Sequence, residues 1–525
     1  MMRKTGMFIC TNPSKFVSFI PQIQKGINTT LYIQFLHKNN LPLIGKKDAS
    51  ISLIQGPKFS STMQLLYKNS VCLNLDVRVL LGGVGAKCPI YTISTKKSID
   101  IVYFDVDLNK DVMESFIRNR IENCSSNCQP VALVDGGSES TAVDVVECEE
   151  EEQSNHVALG GTFDRLHTGH KMLLSEAALL TKKRLLIGLT DTEMLKTKIL
   201  WELIQPYNER AENVRKFLEE VRPNLEVNVV PLNDVYGPTK DDRDLEVLIV
   251  SPETMKGGQK VNEMRQKNGL DPLKIRSIQL VTEDLKCWDV EEEKVSSSNG
   301  RLRLLGTLLK EPEKPNRPRI PYIIGLTGGI ASGKTSVSRR LGKYGATVID
   351  ADKVAHTVYC KGEPGYDSVV KHFGEVILNP DTKEIDRRKL GSIIFADKHQ
   401  RECLNSLLWP LILIKCESLI EKAATEGSRV VVIEASLLIE AQWNKSCHEI
   451  WTCFVPVPEA VKLVQERNQL SVEEATARVN SQLTNTERIE KANVVFSTLW
   501  PPEYTDLQVE RAWKGLQTRL PACGS

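Results

Sequence analysis

Hydrophobic and polar positions between residues 156 and 309 follow two alternating rhythms. Short apolar runs at 157–159, 185–189, 225–231, 245–250 and 275–281 predict buried strands. Between them, 172–180, 209–221 and 258–267 predict helices; in the first, Leu173, Ala177 and Leu180 recur at the spacing of one helical face. Repeated strand–helix–strand units imply a parallel sheet with helices on both faces and ligands at the strands' carboxyl ends. The same rhythm restarts at 322, with an apolar run at 322–326, a helix to about 343, a strand at Thr347-Val348-Ile349, a mostly helical stretch from 353 to 426 and a strand at 429–433. Residues 1–146 show only short β-type runs, such as Leu31-Tyr32-Ile33 and 74–80, and no motif with a mechanism. The expected fold class is α/β: two doubly wound parallel-sheet domains, at 156–309 and 322–525, plus an N-terminal mixed region whose role and protein partners are unassigned.

Two polar stretches separate these regions. Residues 147–155 begin with a like-charged block, Glu147-Cys148-Glu149-Glu150-Glu151-Glu152, that stays solvated and reads as a linker. Residues 310–321 carry a proline at every third position, which favours a stiff extended spacer.

Charge changes the picture only by exclusion. With 68 basic and 67 acidic residues among 525, no global field draws the chain onto nucleic acid, and small-molecule partners are expected. Thirteen cysteines without a repeated short spacing fit reduced thiols; the closest pair, Cys124 and Cys128, has no further zinc ligand at ligand spacing. No sequence run reaches the roughly 20 apolar residues of a membrane span, so no transmembrane segment is expected. The first acidic residue is Asp48, after seven Lys or Arg residues. That bias fits either an organelle transit segment or a basic, poorly ordered N-terminus, and the expected location is cytoplasm, mitochondrion or both.

The candidate chemistry starts at Gly328-Gly329-Ile330-Ala331-Ser332-Gly333-Lys334-Thr335, between a predicted strand and a predicted helix, as a phosphate-binding loop requires. Its successive N–H groups and the helix end face phosphate oxygens; Lys334 would bridge the β- and γ-phosphates of ATP and Thr335 would hold Mg²⁺. The next strand ends in Asp350-Ala351-Asp352, which brings carboxylates to the same end. A second candidate, 160–170, lies between the first strand and first helix of the earlier domain. His167 and His170, three residues apart, share one face of a helical turn behind the Gly160-Gly161-Thr162 turn, and Gly169 lets a ligand approach the backbone.

This second stretch resembles the nucleotidyltransferase superfamily, whose His-x-Gly-His motif pairs with a later Ser-rich one, here Lys294-Val295-Ser296-Ser297-Ser298 followed by Arg301 and Arg303. The intervening 234–239, 250–254 and 257–265 are similar to eukaryotic phosphopantetheine adenylyltransferases. The resemblance implies that His167, His170 and a lysine, Lys198 or its neighbour Lys196, neutralise charge on the α-phosphate of ATP. It places Thr162, Phe163 and Arg265 at the phosphopantetheine, and Ser296, Ser297, Ser298 and Arg301 at the leaving pyrophosphate. No general base is needed, because the attacking phosphate is already ionised.

The later domain is similar to dephospho-coenzyme A kinases, through the phosphate loop, Asp350 and Asp352, Ile385-Asp386-Arg387, Trp409-Pro410, Val432-Ile433-Glu434, 437–440, Arg467, Arg478 and Gln482. A ribose hydroxyl must lose its proton on attack, and the resemblance makes Asp352 the acceptor. Asp350 either contacts Mg²⁺ through water or is a polar strand end. The resemblance puts Arg387 with the substrate; Arg467 and Arg478 either close over the transferred phosphoryl group or lie on a solvated helix face. Two departures stand out: Ser436 replaces the family's proline, and 496–500 lacks its Asp-Asn adenine contact. The two resemblances in this order are similar to the bifunctional coenzyme A synthase family of animals. Consecutive transfers on 4′-phosphopantetheine and dephospho-coenzyme A are then implied, with ATP and Mg²⁺. A class I aminoacyl-tRNA synthetase would need a basic tRNA-binding region. A GTPase would need Asn-Lys-x-Asp, and Asn444-Lys445-Ser446-Cys447 ends wrongly. The alternative is a nucleotide-binding adaptor with only one active half.

Overall fold

The computed structural model describes residues 3–36, 58–73, 75–82, 92–133, 153–278, 288–313, 318 and 320–521. Most of the expected acidic linker, and residues 314–317 and 319 of the proline-rich one, lie outside them. The chain forms two compact units, Met1–Gly300 and Arg301–Ser525.

The described residues form three five-stranded parallel sheets. The first contains β1 (Gly6–Cys10), β2 (Thr30–Phe35), β3 (Asp76–Leu80), β4 (Ile99–Phe104) and β5 (Cys124–Ala132), in the order β3-β2-β1-β4-β5, with helices α1 (Phe16–Gly26), α2 (Lys58–Ser70) and α3 (Lys110–Arg120). The second contains β6 (Ser154–Gly161), β7 (Thr181–Thr190), β8 (Glu226–Leu232), β9 (Val247–Val250) and β10 (Lys274–Ser277), in the order β10-β9-β6-β7-β8, with α4 (Thr168–Leu180), α5 (Tyr207–Val221) and α6 (Met255–Lys267). Helix α7 (Ser297–Leu304) carries the chain across the boundary of the units. The third sheet contains β11 (Tyr322–Gly328), β12 (Thr347–Asp350), β13 (Val430–Glu434), β14 (Glu449–Phe454) and β15 (Val494–Ser497), in the order β12-β13-β11-β14-β15. Around it lie α8 (Lys334–Lys343), α9 (Ala351–Thr357), α10 (Pro364–Phe373), α11 (Arg387–Ala396), α12 (Lys398–Thr425), α13 (Val457–Asn468), α14 (Val472–Asn480), α15 (Asn485–Lys491) and α16 (Pro502–Gln517).

In each sheet the strand that comes first in sequence lies in the middle, so the chain changes direction of winding beside β1, β6 and β11. The carboxyl ends of those strands open onto the crevices where such sheets hold ligands. β11 and β13 are buried along their whole length, which explains why they read as continuous apolar runs.

The N-terminal region is therefore a third doubly wound sheet. Phe8 and Cys10 pack with α1 and α2 on one face, while Met7 and Ile9 pack with α3 on the other. Its signal was weak in the sequence because β5, CSSNCQPVA, is mostly polar and carries Pro130, and α1 contains Pro21. Gly6–Cys10, within the basic start of the chain, is the central strand of this sheet, while Lys38, Lys46 and Lys47 lie outside the described residues.

Two further features bear on the sequence reading. The segment after α7 joins the third sheet, with Leu308 bridging Val494 and Leu309 N–H donating to the Asn493 carbonyl at 2.7 Å, so the compact unit, Arg301–Ser525, starts ahead of the expected domain start at 322. Among the described residues one helix, the 28-residue α12, is long and apolar enough to cross a membrane by length and composition. Here Leu404, Leu408, Ile412, Cys416, Ile420 and Ala423 make a stripe at helical spacing that is buried in the core with α9, α10 and α11.

Candidate active sites

The first site is built where β6 runs out. Gly160 sits beside Gly188 of β7, and added Cβ atoms at Gly161 and Gly188 would lie 2.8 Å from Phe163 and 2.6 Å from Leu232, so both strands stay slim at the crevice. The loop after Gly161 turns through left-handed residues Phe163 and Arg165 into α4. Arg210 of α5 is fully buried and reaches under this loop, donating to the carbonyls of Thr162 and Gln205, each at 2.8 Å. The Thr190 hydroxyl meets that of Thr162 at 3.1 Å.

His167 caps α4: its Nδ1 accepts the His170 N–H at 3.3 Å. An Nδ1 that accepts leaves the proton of neutral imidazole on Nε2, which faces the Ser297 hydroxyl at 3.5 Å. The two imidazoles stack with centroids 3.7 Å apart. The structure thus brings His167, His170, Thr162 and Ser297 together at one strand end. Ser296 caps the turn before α7 through the Asn299 N–H, Ser298 follows on the helix, and Arg301 is buried one turn further on.

Lys196 and Lys198 separate in the structure. Lys196 is exposed and paired with Glu193 at 2.6 Å, while Lys198 is half-buried. Two residues expected at the substrate make contacts within the protein. Phe163 is buried with its ring 5.1 Å from that of His170, so it braces the imidazole. Arg265 is 1 % exposed and donates to the carbonyls of Asp271, Thr239 and Asp242 at 2.7–2.8 Å, so its guanidinium is taken up in clamping the 237–242 loop.

The second site stands at the end of β11. A Cβ on Gly328 would lie 2.3 Å from the Cys453 carbonyl oxygen, and Gly333 has φ +77° with Thr498 packed against it. Those contacts demand glycine and press the loop onto the sheet. Lys334 Nζ donates to the carbonyls of Gly328 and Gly329 at 3.0 and 3.2 Å. Burial lowers its pKa, opposed by Cys453, Asp352 and Glu434. A cavity of about 560 Å³ is lined by Ala331 to Thr335 with Leu463, Glu466 and Arg467. Arg467 thus belongs to the phosphate site; Arg478, on α14, does not line that cavity.

Carboxylates meet the loop differently from expectation. Thr335 and Ser338 each donate to Glu434 at 2.6 Å, and Glu434 pairs in register with Asp350 on the neighbouring strand. Glu434 is therefore the carboxylate on Thr335, while Asp350 caps α9 and pairs with Lys353 at 3.0 Å. Sequence reading placed Glu434 at a strand end without assigning it a role. A second cavity of about 300 Å³ is lined by Asp352, His356, Arg387, Trp409, Trp443 and mainly aliphatic neighbours. Asp352 accepts the Ser436 hydroxyl at 2.9 Å. Burial, then nearby Arg387, lowers the pKa of His356, which keeps it neutral near pH 7.

Two more residues complete the loop's surroundings. Gln482 Oε1 accepts the Ile330 N–H at 2.8 Å. Arg488, 1 % exposed, pairs with Glu440 at 3.3 Å and donates to the Leu483 carbonyl, and a Cβ on Gly329 would lie 3.8 Å from its Nη1. No spacing pointed to Arg488, since it lies on a different helix more than 150 residues along.

Residues 158–303 match the cytidylyltransferase-like family, and 322–498 match the dephospho-CoA kinase family. The dephospho-CoA kinase of Symbiobacterium thermophilum is 36 % identical over 206 residues, covering 39 % of this chain and 86 % of that protein. That of Geobacter sulfurreducens is 41 % identical over 191 residues, covering 36 % and 96 %. The phosphopantetheine adenylyltransferase of Saccharomyces cerevisiae is 40 % identical over 162 residues, covering 31 % of this chain and 52 % of its own. The phosphate loop stands at the end of β11 with Glu434 and Arg467 beside it, and the relatives align with this unit over nearly their full length: the chain belongs to the dephospho-CoA kinase family, with a cytidylyltransferase-like domain preceding it.

Proposed function

We propose that the chain makes coenzyme A from 4′-phosphopantetheine in two ATP-dependent steps: adenylyl transfer giving dephospho-coenzyme A, then phosphorylation of its ribose 3′-hydroxyl. The observation that carries this reading is that each of two central strands, β6 and β11, ends in its own intact polyanion site.

In the first step the substrate phosphate oxygen forms a bond to the α-phosphorus of ATP and pyrophosphate leaves. The His167 Nε2–H, the His170 ring and the α4 amino end supply positive partial charge where the α-phosphate gains negative charge, with Lys198 as the cation on the adjoining loop. Thr162, held by Arg210 and Thr190, orients the incoming phosphate. Serines at the start of α7 receive the pyrophosphate.

In the second step the 3′-hydroxyl oxygen forms a bond to the γ-phosphorus, the bond from that phosphorus to the β,γ-bridging oxygen breaks and ADP leaves, and the hydroxyl proton passes to Asp352, which stands in the cavity that takes the acceptor. Lys334 leaves the loop carbonyls for the phosphate oxygens, and Arg467 closes over them. The oxygen-only donor set of Thr335, Glu434 and Asp350 suits a hard cation such as Mg²⁺, which when bound neutralises phosphate charge.

Purified full-length protein given 4′-phosphopantetheine, ATP and Mg²⁺ is expected to yield coenzyme A. His170→Ala is expected to abolish only the first step and Lys334→Ala only the second, as followed by separating dephospho-coenzyme A from coenzyme A. Loss of both steps in either folded variant would refute the division into two sites.

A further inference from the structure

The N-terminal sheet has the winding of a ligand-binding sheet, but the place where its ligand would sit is taken. After β1, the N–H groups of Thr11 and Asn12 donate to Asp105 at 2.7 and 2.8 Å, and the Thr11 hydroxyl donates to the same carboxylate at 2.8 Å. Those donors would face an anion at this strand end. The chain supplies its own carboxylate instead.

What the sheet does hold is helix α4, the helix that presents His167 and His170. Lys171, Ser175 and Glu176 form a polar stripe that would meet water on a solitary adenylyltransferase domain, and all three are buried here, at 7, 0 and 3 % exposure. Lys171 Nζ pairs with Asp76 of β3 at 2.5 Å. Arg78 donates to Asp76 at 2.9 Å and also pairs with Glu220 of α5, which accepts from the Tyr32 hydroxyl at 2.6 Å. One turn along, Glu176 accepts from Ser60 and Gln64 at 2.7 and 2.8 Å, and Ser175 meets the Tyr67 hydroxyl at 3.1 Å. One apolar cluster runs continuously from Phe8 and Met63 to Leu174 and Ala178. Lys171 follows His170 directly, and its own N–H closes the first turn onto the His167 carbonyl at 3.0 Å. The ion pair therefore acts on the turn that sets both imidazoles.

We propose that the N-terminal sheet is a positioning domain for adenylyl transfer, and that Lys171, anchored by Asp76, is a positioning residue for His167 and His170. This rests on the adenylyl-transfer reading of the first site. Side-chain placement within a fraction of an ångström governs such charge stabilisation, because the donors must already be aimed at the transition state.

Full-length protein carrying Lys171→Met, Lys171→Arg or Asp76→Asn tests it, with both half-reactions assayed on each preparation. The expected result is a kcat for adenylyl transfer lowered about tenfold or more in Lys171→Met and Asp76→Asn, KM for 4′-phosphopantetheine and ATP within about twofold, and an unchanged kinase rate. Lys171→Arg is expected to keep most of the activity. An unchanged adenylyl kcat, or parallel loss of both half-reactions, overturns the proposal. Should Lys171→Met lose the trypsin resistance of the Met1–Gly300 unit, Glu176→Gln carries the test: a kcat lowered about threefold or more with resistance kept supports the proposal, and an unchanged kcat overturns it. If the unsubstituted protein shows no adenylyl transfer, the reading of the first site has failed instead.

Discussion

Glu434 shows how much one carboxylate can decide. It is nearly buried, and two hydroxyl donors 2.6 Å away satisfy both its oxygens, so its charge is held beside the phosphate loop rather than spent on a lysine. Replacing it by glutamine removes the charge that would draw a cation to Thr335. Glu434→Gln is expected to raise the Mg²⁺ concentration for half-maximal kinase activity by about 10- to 100-fold, read in a Mg²⁺ titration of the second half-reaction. Asp76 works in the opposite sense, through stability. Burial raises its pKa, but Lys171 and Arg78 outweigh that and hold it well below the usual carboxylate range. A carboxylate with a depressed folded pKa contributes stability that is present above its unfolded value, about 3.9, and is lost as pH falls through the folded one. The stability difference between the native protein and Asp76→Asn is expected to be full at pH 6 and to shrink progressively below pH 4, as measured by urea unfolding across that range.

Among elements, α12 and α5 carry the clearest tests. If α12 is a core helix of the kinase unit, its two faces differ sharply in energy. Ile420→Ala, at 3 % exposure, is expected to cost about 2–5 kcal/mol in denaturant unfolding of that unit. Ile414→Ala, at 66 % exposure on the same helix, is expected to stay within about 0.5 kcal/mol. Helix α5 supplies Arg210 to the loop of the first site. Arg210→Leu strips hydrogen bonds from two carbonyls, at about 1–3 kcal/mol for each one left buried and unpaired, and is expected to lower adenylyl transfer without touching the kinase rate.

At the scale of the molecule, the same winding is used three times and serves two ends. Beside β11 a cavity opens at the phosphate loop and beside β6 the histidine pair stands at the strand end, whereas beside β1 Asp105 takes the strand-end donors and the sheet grips α4 through α2 and β3. The two catalytic sheets were legible because Val157, Ala158 and Leu159 of β6 and the whole of β11 are buried and each strand is followed within a few residues by its phosphate-handling loop, so strand, loop and helix are one local signal. Fold class, the histidine pair and the phosphate loop are of that kind: neighbours in sequence are neighbours in the site. Contacts between residues far apart along the chain depend on how sheets and helices pack, and no local spacing encodes that. Tertiary structure alone therefore decided that Glu434 rather than Asp350 meets Thr335, that Arg265 clamps the 237–242 loop and Phe163 packs on His170, that Arg488 comes to the phosphate loop, and that a motif-free N-terminal region is a sheet locked onto the helix of the first site.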